Sequence, residues 1–165
     1  MPSEMLHNLS LVLATITTGL IAGLFWGFSI SVMIALRGVD DRTFIEVMQR
    51  INAAIQNGPF AAAFLGAPLF TIVVIVLDLL GGRGLSVPVT AGFVLYAVSL
   101  AMTFGRNIPL NNQLDAAGRA GRVADPAAAR KRFEAAWNRW NLLRALASIA
   151  AFGCLCWALL LTPAA

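Results

Sequence analysis

The stretch LSLVLATITTGLIAGLFWGFSISVMIAL, residues 9–36, decides the class of this fold. Between Glu4 and Arg37 the chain has no Asp, Glu, Lys or Arg over 32 residues. A helix of about 20 apolar residues crosses a bilayer, so this segment is long enough to span one. A cleaved signal peptide would have a basic start and a shorter apolar core. We therefore predict a membrane-spanning helix over residues 9–36.

The composition extends this prediction to the whole chain. Of 165 residues, 59% are hydrophobic and 12% are charged, with a mean hydropathy of +0.78. A soluble domain carries about 25% charged residues. Further apolar runs predict spanning helices over 59–80, 87–105 and 142–161, the last within a longer helix that starts at Asp125-Pro126. The sequence thus predicts an all-α, single-domain bundle of four transmembrane helices over residues 1–165, and Ile108-Pro109 is expected to break the third helix.

A different pattern separates the first two spans. Thr43 to Glu46 has the form of a capping box, and Asn57-Gly58-Pro59 is a stop signal. Between them, apolar residues recur at helical spacing: Phe44, Val47, Met48, Ile51 and Ile55. This pattern predicts a short amphipathic helix over 43–56, which either lies on the membrane or caps the end of the bundle over a pocket.

The basic residues are distributed unevenly along the chain. A net charge of +4 and a pI near 10 would suggest nucleic acid as the partner of a soluble protein. Here 11 of the 12 Lys and Arg residues follow the first or third span or are Arg144, and Arg83 alone follows the second. By the positive-inside rule, this predicts cytoplasmic loops 37–58 and 106–139, termini outside, membrane lipids as the surroundings and no nucleic-acid partner.

Few side chains suit metal or redox chemistry. Cys154 and Cys156 are two residues apart on one helix and point about 200° away from each other, so they cannot form a disulfide with each other within that helix, and they are not a CxxC pair. His7 is the only histidine and has no carboxylate or thiolate cluster near it in the sequence. Asp78, near the end of the second span, is expected to be solvated at the helix end or to snorkel towards the membrane surface. We predict no metal and no cofactor.

The first span contains a row of small residues. Gly19, Gly23 and Gly27 recur every four residues and form a smooth helix face. In a membrane, such a face lets another backbone approach closely. It predicts either packing inside the bundle or a homo-oligomer that forms through these glycines.

Polar side chains concentrate in two segments at one edge of the predicted bundle. Amide and guanidinium groups there are costly unless they are hydrogen-bonded. Two indoles could stack on a flat, oxygenated aromatic molecule while Arg144 or Arg106 holds its oxyanion. An interface belt with basic anchors would need no ligand. The candidate binding residues are Arg106, Asn107, Asn111, Trp137, Trp140, Asn141 and Arg144.

These segments also carry a family resemblance. MQRIN (48–52), NGPF (57–60), RNIPLN (106–111) and WNLLR (140–144) together resemble the anthrone-oxygenase-like family of small four-helix membrane proteins, whose bacterial members mostly have no known function. Fungal members oxidise anthrones to anthraquinones with molecular oxygen and without an established cofactor. The resemblance implies that Asn107, Asn111, Trp140, Asn141 and Arg144 line the pocket. Many members have His after the Trp-Asn pair, where this chain has Leu142.

Two functions follow as hypotheses. The first is a cofactor-independent oxygenase or oxidase of a hydrophobic polyphenolic or quinol-like substrate. The second is a non-catalytic membrane module that binds a lipid, a quinone or a partner protein. A small exporter would need a buried acid at mid-membrane, whereas Asp78 lies near a helix end.

Overall fold

The computed structural model describes residues 2–162, which form helices and connecting turns with no strand in that range. The α-helices are α1 (Pro2–Gly27), α2 (Met33–Leu36), α3 (Asp41–Ala54), α4 (Gly58–Leu80), α5 (Val87–Met102), α6 (Ile108–Ala116) and α7 (Pro126–Leu161). π-Helical turns at Phe28–Val32 and Thr103–Asn107 join α1 to α2 and α5 to α6, and a 3₁₀ turn occupies Ala120–Arg122.

Four helical stretches are long and apolar enough to cross a membrane. They are Ser3–Leu36, Gly58–Leu80, Val87–Ala116 and Pro126–Leu161. Large apolar side chains such as Leu160 and Leu80 are more than four-fifths exposed on their outer faces, which favours lipid as the surrounding medium. The predicted all-α bundle with four spanning helices is confirmed, and it is the architecture of a multi-pass membrane protein.

Small residues let the helices of the bundle approach closely. A Cβ atom at Gly92 of α5 would lie 3.2 Å from Leu155 Cγ and 3.3 Å from the Ala151 carbonyl oxygen of α7. A Cβ at Gly19 would lie 2.9 Å from the Phe152 ring, also on α7, whereas Cβ atoms at Gly23 and Gly27 would meet nothing within 4 Å. The glycine row of α1 is therefore divided between an internal contact and open positions. Oligomerisation through it stays a prediction.

The helix starts follow short polar side chains. Asp40, rather than the predicted Thr43, caps α3, and it accepts hydrogen bonds from the backbone N–H groups of Arg42 and Thr43. Asp125 caps α7 by accepting from the Ala128 N–H, as Asp125-Pro126 predicts. Asn57 does more than end the preceding helix, because its side chain also caps α4.

The third span does not break at Pro109, so that prediction was wrong. The chain passes from α5 through the π-helical turn Thr103–Asn107 directly into α6. Pro109 lies in the first turn of α6, where a missing backbone N–H is tolerated. The wider turn before it accommodates the proline and keeps residues 87–116 as one helical stretch.

Asp78 and His7 correct a second prediction. Asp78 is 5% exposed rather than solvated, and its Oδ1 lies 3.0 Å from His7 Nε2 and 4.0 Å from an Arg83 guanidinium nitrogen. His7 therefore has a carboxylate neighbour, contributed by α4 across the α1–α4 contact. This pair lies at the end of the bundle away from α3.

Candidate functional site

A cavity of about 410 Å³ lies at the α3 end of the bundle. Its wall is largely aromatic and aliphatic, with a few amide, hydroxyl and charged groups, which is the usual composition of a small-molecule site. The lining residues are Phe25, Phe28, Ile51, Asn52, Ile55, Gln56, Phe60, Phe64, Thr103, Phe104, Ile108, Asn111, Asn112, Asp115, Trp137 and Arg144.

The amphipathic helix α3 covers this cavity. Phe44, Ile45 and Met48 are fully buried against α6 and α7, and Ile51 and Asn52 face the cavity. Gln49 Nε2 donates to the Leu114 and Gly118 carbonyls, which anchors α3 to the end of α6. Of the two predicted positions for this helix, the structure has the one that caps the bundle.

Arg144 supplies the cationic group of the cavity from the middle of α7. It is 8% exposed, and its guanidinium carbon lies 3.9 Å from the Phe25 ring centroid and 5.6 Å from that of Trp137. Its Nε and Nη2 donate to Asn141 Oδ1 at 3.1 and 2.8 Å, and Nη1 donates to Thr103 Oγ1 at 3.3 Å. These bonds leave two of its five N–H groups for another acceptor. Among the described residues, no carboxylate forms an ion pair with it.

Asn141 holds Arg144 in place. Asn141 is completely buried, and its Nδ2 donates to the Phe25 carbonyl at 3.0 Å and to Ser29 Oγ at 2.9 Å. Its Oδ1 is the acceptor for Arg144. The amide therefore links α1 to the guanidinium and orients it, although Asn141 itself does not line the cavity.

Trp137 and the two predicted asparagines of the neighbouring helix also come together. Trp137 is buried, and its indole N–H donates to Asn111 Oδ1 at 2.8 Å. Asn107 is fully buried beside the same turn of α7, donates weakly to the Trp137 carbonyl at 3.4 Å, and has no hydrogen-bond partner at Oδ1 among the described residues. Trp137 and Asn111 line the cavity, whereas Asn107 does not line it and instead contacts the backbone of Trp137.

Trp140 and Arg106 lie elsewhere. The Arg106 guanidinium stacks over the Trp140 ring at 5.2 Å, and Arg139 approaches the same ring at 5.9 Å. Arg106 is exposed and Trp140 is half-buried, and neither belongs to the cavity wall. For Trp140 and Arg139, the interface belt with basic anchors stays a prediction.

Position 142 also lies away from the cavity. Leu142 is 41% exposed on the outer face of α7. Leu142 is not among the residues that line the cavity. The departure from the family pattern therefore removes no group from the cavity of this chain.

Several lining residues were not predicted from the sequence. Asn52 sits on the amphipathic helix α3 and Asp115 near the end of the short helix α6, and polar residues in such places usually face water. Thr103 lies in a π-helical turn, and it binds Arg144 while donating to the Ser99 carbonyl. Phe25 lines the cavity from α1. Two signals were available for Asn52: it lies three residues before Ile55 at helical spacing, and it ends the MQRIN stretch.

The comparisons with known proteins identify the chain at family level. The model of the family described as anthrone oxygenase matches residues 45–154, which include most of α3, all the cavity-lining segments from α4 to α7, and most of the bundle. No curated protein and no solved structure matches the chain. The match covers well over half of the sequence, and the chain belongs to the anthrone oxygenase family.

Proposed function

We propose that the cavity binds a flat, oxygenated aromatic molecule and that the protein oxidises it with molecular oxygen. The observation that carries this proposal is the guanidinium of Arg144, which is buried at an aromatic-lined cavity and forms no ion pair with a carboxylate of residues 2–162. A buried charge is stabilised when a counter-charge reaches it. An anionic oxygen on a planar ring system supplies that charge and also stacks on the surrounding rings.

The chemistry of an anthrone fits such a site. Loss of a proton from the ring methylene group gives an enolate, whose oxygen would accept hydrogen bonds from the two free N–H groups of Arg144. The proton goes to water or to Asp115, which is the carboxylate among the described lining residues. Stabilising the enolate raises the population of the electron-rich form that reacts with oxygen.

The oxidation step balances without a further reductant. The enolate carbon transfers electrons to O₂ and forms a carbon–oxygen bond, which gives a hydroperoxide on the ring after protonation. Loss of water from that hydroperoxide leaves a second carbonyl group. One anthrone and one O₂ become one anthraquinone and one water, so the substrate is the sole electron donor.

The proposal includes an orientation in the membrane. We place loops 37–58 and 106–139 in the cytoplasm and the termini outside, because 11 of 12 basic residues lie on the cavity side. The cavity then opens near the cytoplasmic leaflet. Single cysteines are introduced at Ser86 and Arg119 in a variant without Cys154 and Cys156. In sealed cells, impermeant maleimide should label the cysteine at position 86, whereas the cysteine at position 119 should be labelled only after the cells are permeabilised. Labelling of both from outside would contradict this orientation.

Oxygen uptake tests the enzymatic function. The purified protein in lipid nanodiscs should accelerate O₂ consumption with 1,8-dihydroxyanthrone above the rate in protein-free nanodiscs, with one O₂ consumed per anthraquinone formed. Arg144→Met should abolish the acceleration, whereas Arg139→Met, the same change at an exposed position outside the cavity, should retain it. Equal rates with and without protein would refute the oxidase function.

A non-catalytic binding module is the second candidate. The observation favouring it is that amides and hydroxyls dominate the polar wall of the cavity, so proton transfer depends on Asp115 or water. In that case a quinone or a related planar lipid should bind and require Arg144, while no oxygen is consumed. Mass spectrometry of molecules that co-purify with the wild type but not with Arg144→Met would identify the ligand class.

A further inference from the structure

Asn52 is a polar group of the cavity to which neither the family resemblance nor the proposed chemistry assigns a role. It projects from α3, is 8% exposed and lines the cavity. Its Nδ2 is buried and has no hydrogen-bond partner among the described residues. An unpartnered buried amide N–H costs about 1–3 kcal/mol. A ligand oxygen at this position would recover that cost.

Asn52 and Arg144 bring hydrogen-bond donors to the cavity from two different helices. Asn52 belongs to the helix that covers the cavity, whereas Arg144 lies within the bundle on α7. The rings of Phe25, Phe28 and Trp137 contribute to the wall of the same cavity. The site therefore offers hydrogen-bond donors from two separate elements, α3 and α7, together with aromatic surfaces.

We propose that Asn52 donates a hydrogen bond to a second oxygen of the bound aromatic, on the ring edge opposite the oxygen held by Arg144. This inference rests on the proposed function, because it assumes that Arg144 binds the first oxygen. It predicts that planar molecules with oxygens on two opposite edges, such as para-quinones and their hydroquinones, bind more tightly than an anthrone, which has one ring oxygen. Asn52 is thus a specificity-determining residue, and it couples the covering helix to the ligand.

Two ligands that differ in the number of ring oxygens distinguish the contact made by Arg144 from the contact made by Asn52. Anthrone has one ring oxygen, and anthraquinone has two on opposite edges of the central ring. Binding of each to protein in nanodiscs is measured under argon, with protein-free nanodiscs correcting for partition into lipid. The variants are Asn52→Leu, which keeps the approximate size and removes the donor, and Arg144→Met. The matched control is Asn138→Leu, which changes another amide with an unpartnered buried atom that does not line the cavity.

Selective loss is the expected result. Asn52→Leu should weaken anthraquinone binding about fivefold, the factor that corresponds to one net hydrogen bond, and leave anthrone binding unchanged. Arg144→Met should weaken both ligands, and Asn138→Leu neither. A second substitution, Asn52→Ala, should reproduce the selectivity and so exclude a steric effect of Leu.

Two outcomes overturn the inference, and a third overturns the function beneath it. If Asn52→Leu weakens the binding of both ligands equally or of neither, Asn52 does not donate a hydrogen bond to a second oxygen, although Arg144 still binds the first. If anthrone and anthraquinone bind equally well to the wild type, the two-edge recognition is also refuted. If Arg144→Met leaves both affinities unchanged, the proposed function fails at its first contact.

Discussion

Replacement of Arg144 by Met removes the cation of the cavity and keeps a long, unbranched side chain. The guanidinium has two N–H groups that its bonds to Asn141 and Thr103 do not use. A hydrogen bond to a charged group contributes about 1.5–3 kcal/mol. We therefore expect the affinity for an anionic planar ligand to fall roughly 10- to 150-fold. If the oxyanion develops during the reaction, kcat/KM should fall by about 10²- to 10³-fold.

The same substitution has two opposed effects on stability. Asn141 Oδ1 loses its hydrogen-bond donor in a fully buried position, which costs about 1–3 kcal/mol. Removal of an unpaired buried charge relieves a desolvation cost of several kcal/mol. We expect the two to offset largely, so the thermal midpoint should change far less than the affinity.

Isothermal titration in nanodiscs and thermal unfolding of the same samples measure both quantities. Arg144→Lys is informative because it keeps the charge but loses the planar, two-pronged donor geometry, so its affinity should fall between those of wild type and Arg144→Met. The reasoning is refuted if folded Arg144→Met binds within threefold of the wild type. It is also refuted if Arg139→Met, outside the cavity, has the same effect.

Three further predictions test other parts of the structure. Trp137→Phe removes the hydrogen bond to Asn111 Oδ1 and should destabilise the α6–α7 contact by about 1 kcal/mol, measured by urea unfolding; an unchanged free energy of unfolding would contradict the bond. Gly92→Leu should destabilise the α5–α7 contact by roughly 1–3 kcal/mol, while Gly23→Leu should leave the monomer's thermal midpoint unchanged. The elution volume of Gly23→Leu in size-exclusion chromatography, compared with that of the wild type, tests the glycine-mediated oligomer. Hydrogen bonds from the side chain and backbone of Thr43 lower the pKa of Asp40 from 3.8. The Asp40 carboxylate therefore stabilises α3 above that pH and loses this effect as the pH falls through the lowered pKa. Amide exchange rates in α3 should differ between wild type and Asp40→Ala at about pH 5 and converge in stronger acid.

The bundle was predictable because its cause is local in the sequence. Four long apolar runs have no stable alternative to spanning helices, since a bilayer leaves no other way to satisfy the backbone. The start of α7 at Pro126 was likewise predictable from the preceding Asp125. The course of the third span was not, because Pro109 is compatible either with a helix end or with the first turn of a new helix. The π-helical turn before Pro109 contacts α7 through Thr103 and Asn107, and such contacts are not encoded in the local sequence.

The candidate site was predictable only in part, for geometrical reasons. Residues 137, 141, 144 and 148 of α7 follow one another at the helical period, and all four are buried. Trp140 lies about 60° from Trp137 around the helix and falls at the edge of that face, where it contacts arginines instead of the cavity. The sequence pattern does not determine where such an edge meets lipid.

The pairings that cross the bundle were the least accessible to sequence reasoning. His7 and Asp78 are 71 residues apart in sequence, and neither helix alone indicates that they meet. Asn52 resembles the other polar residues of an amphipathic helix until α3 is placed over the cavity. In both cases burial of a polar group follows from tertiary packing, which local periodicity does not encode.

The two π-helical turns give the site its position along the bundle. The turn Phe28–Val32 contains Ser29, which accepts from Asn141, and the turn Thr103–Asn107 begins with Thr103, which accepts from Arg144. Both turns thus contact the same short stretch of α7, one at the end of α1 and the other at the end of α5. A π-helical turn widens the helix by one residue and shifts the faces beyond it. Regular helices would rotate Ser29 and Thr103 relative to the side chains that follow them, so we infer that these two turns allow Asn141 and Arg144 to be hydrogen-bonded while the guanidinium still faces the cavity.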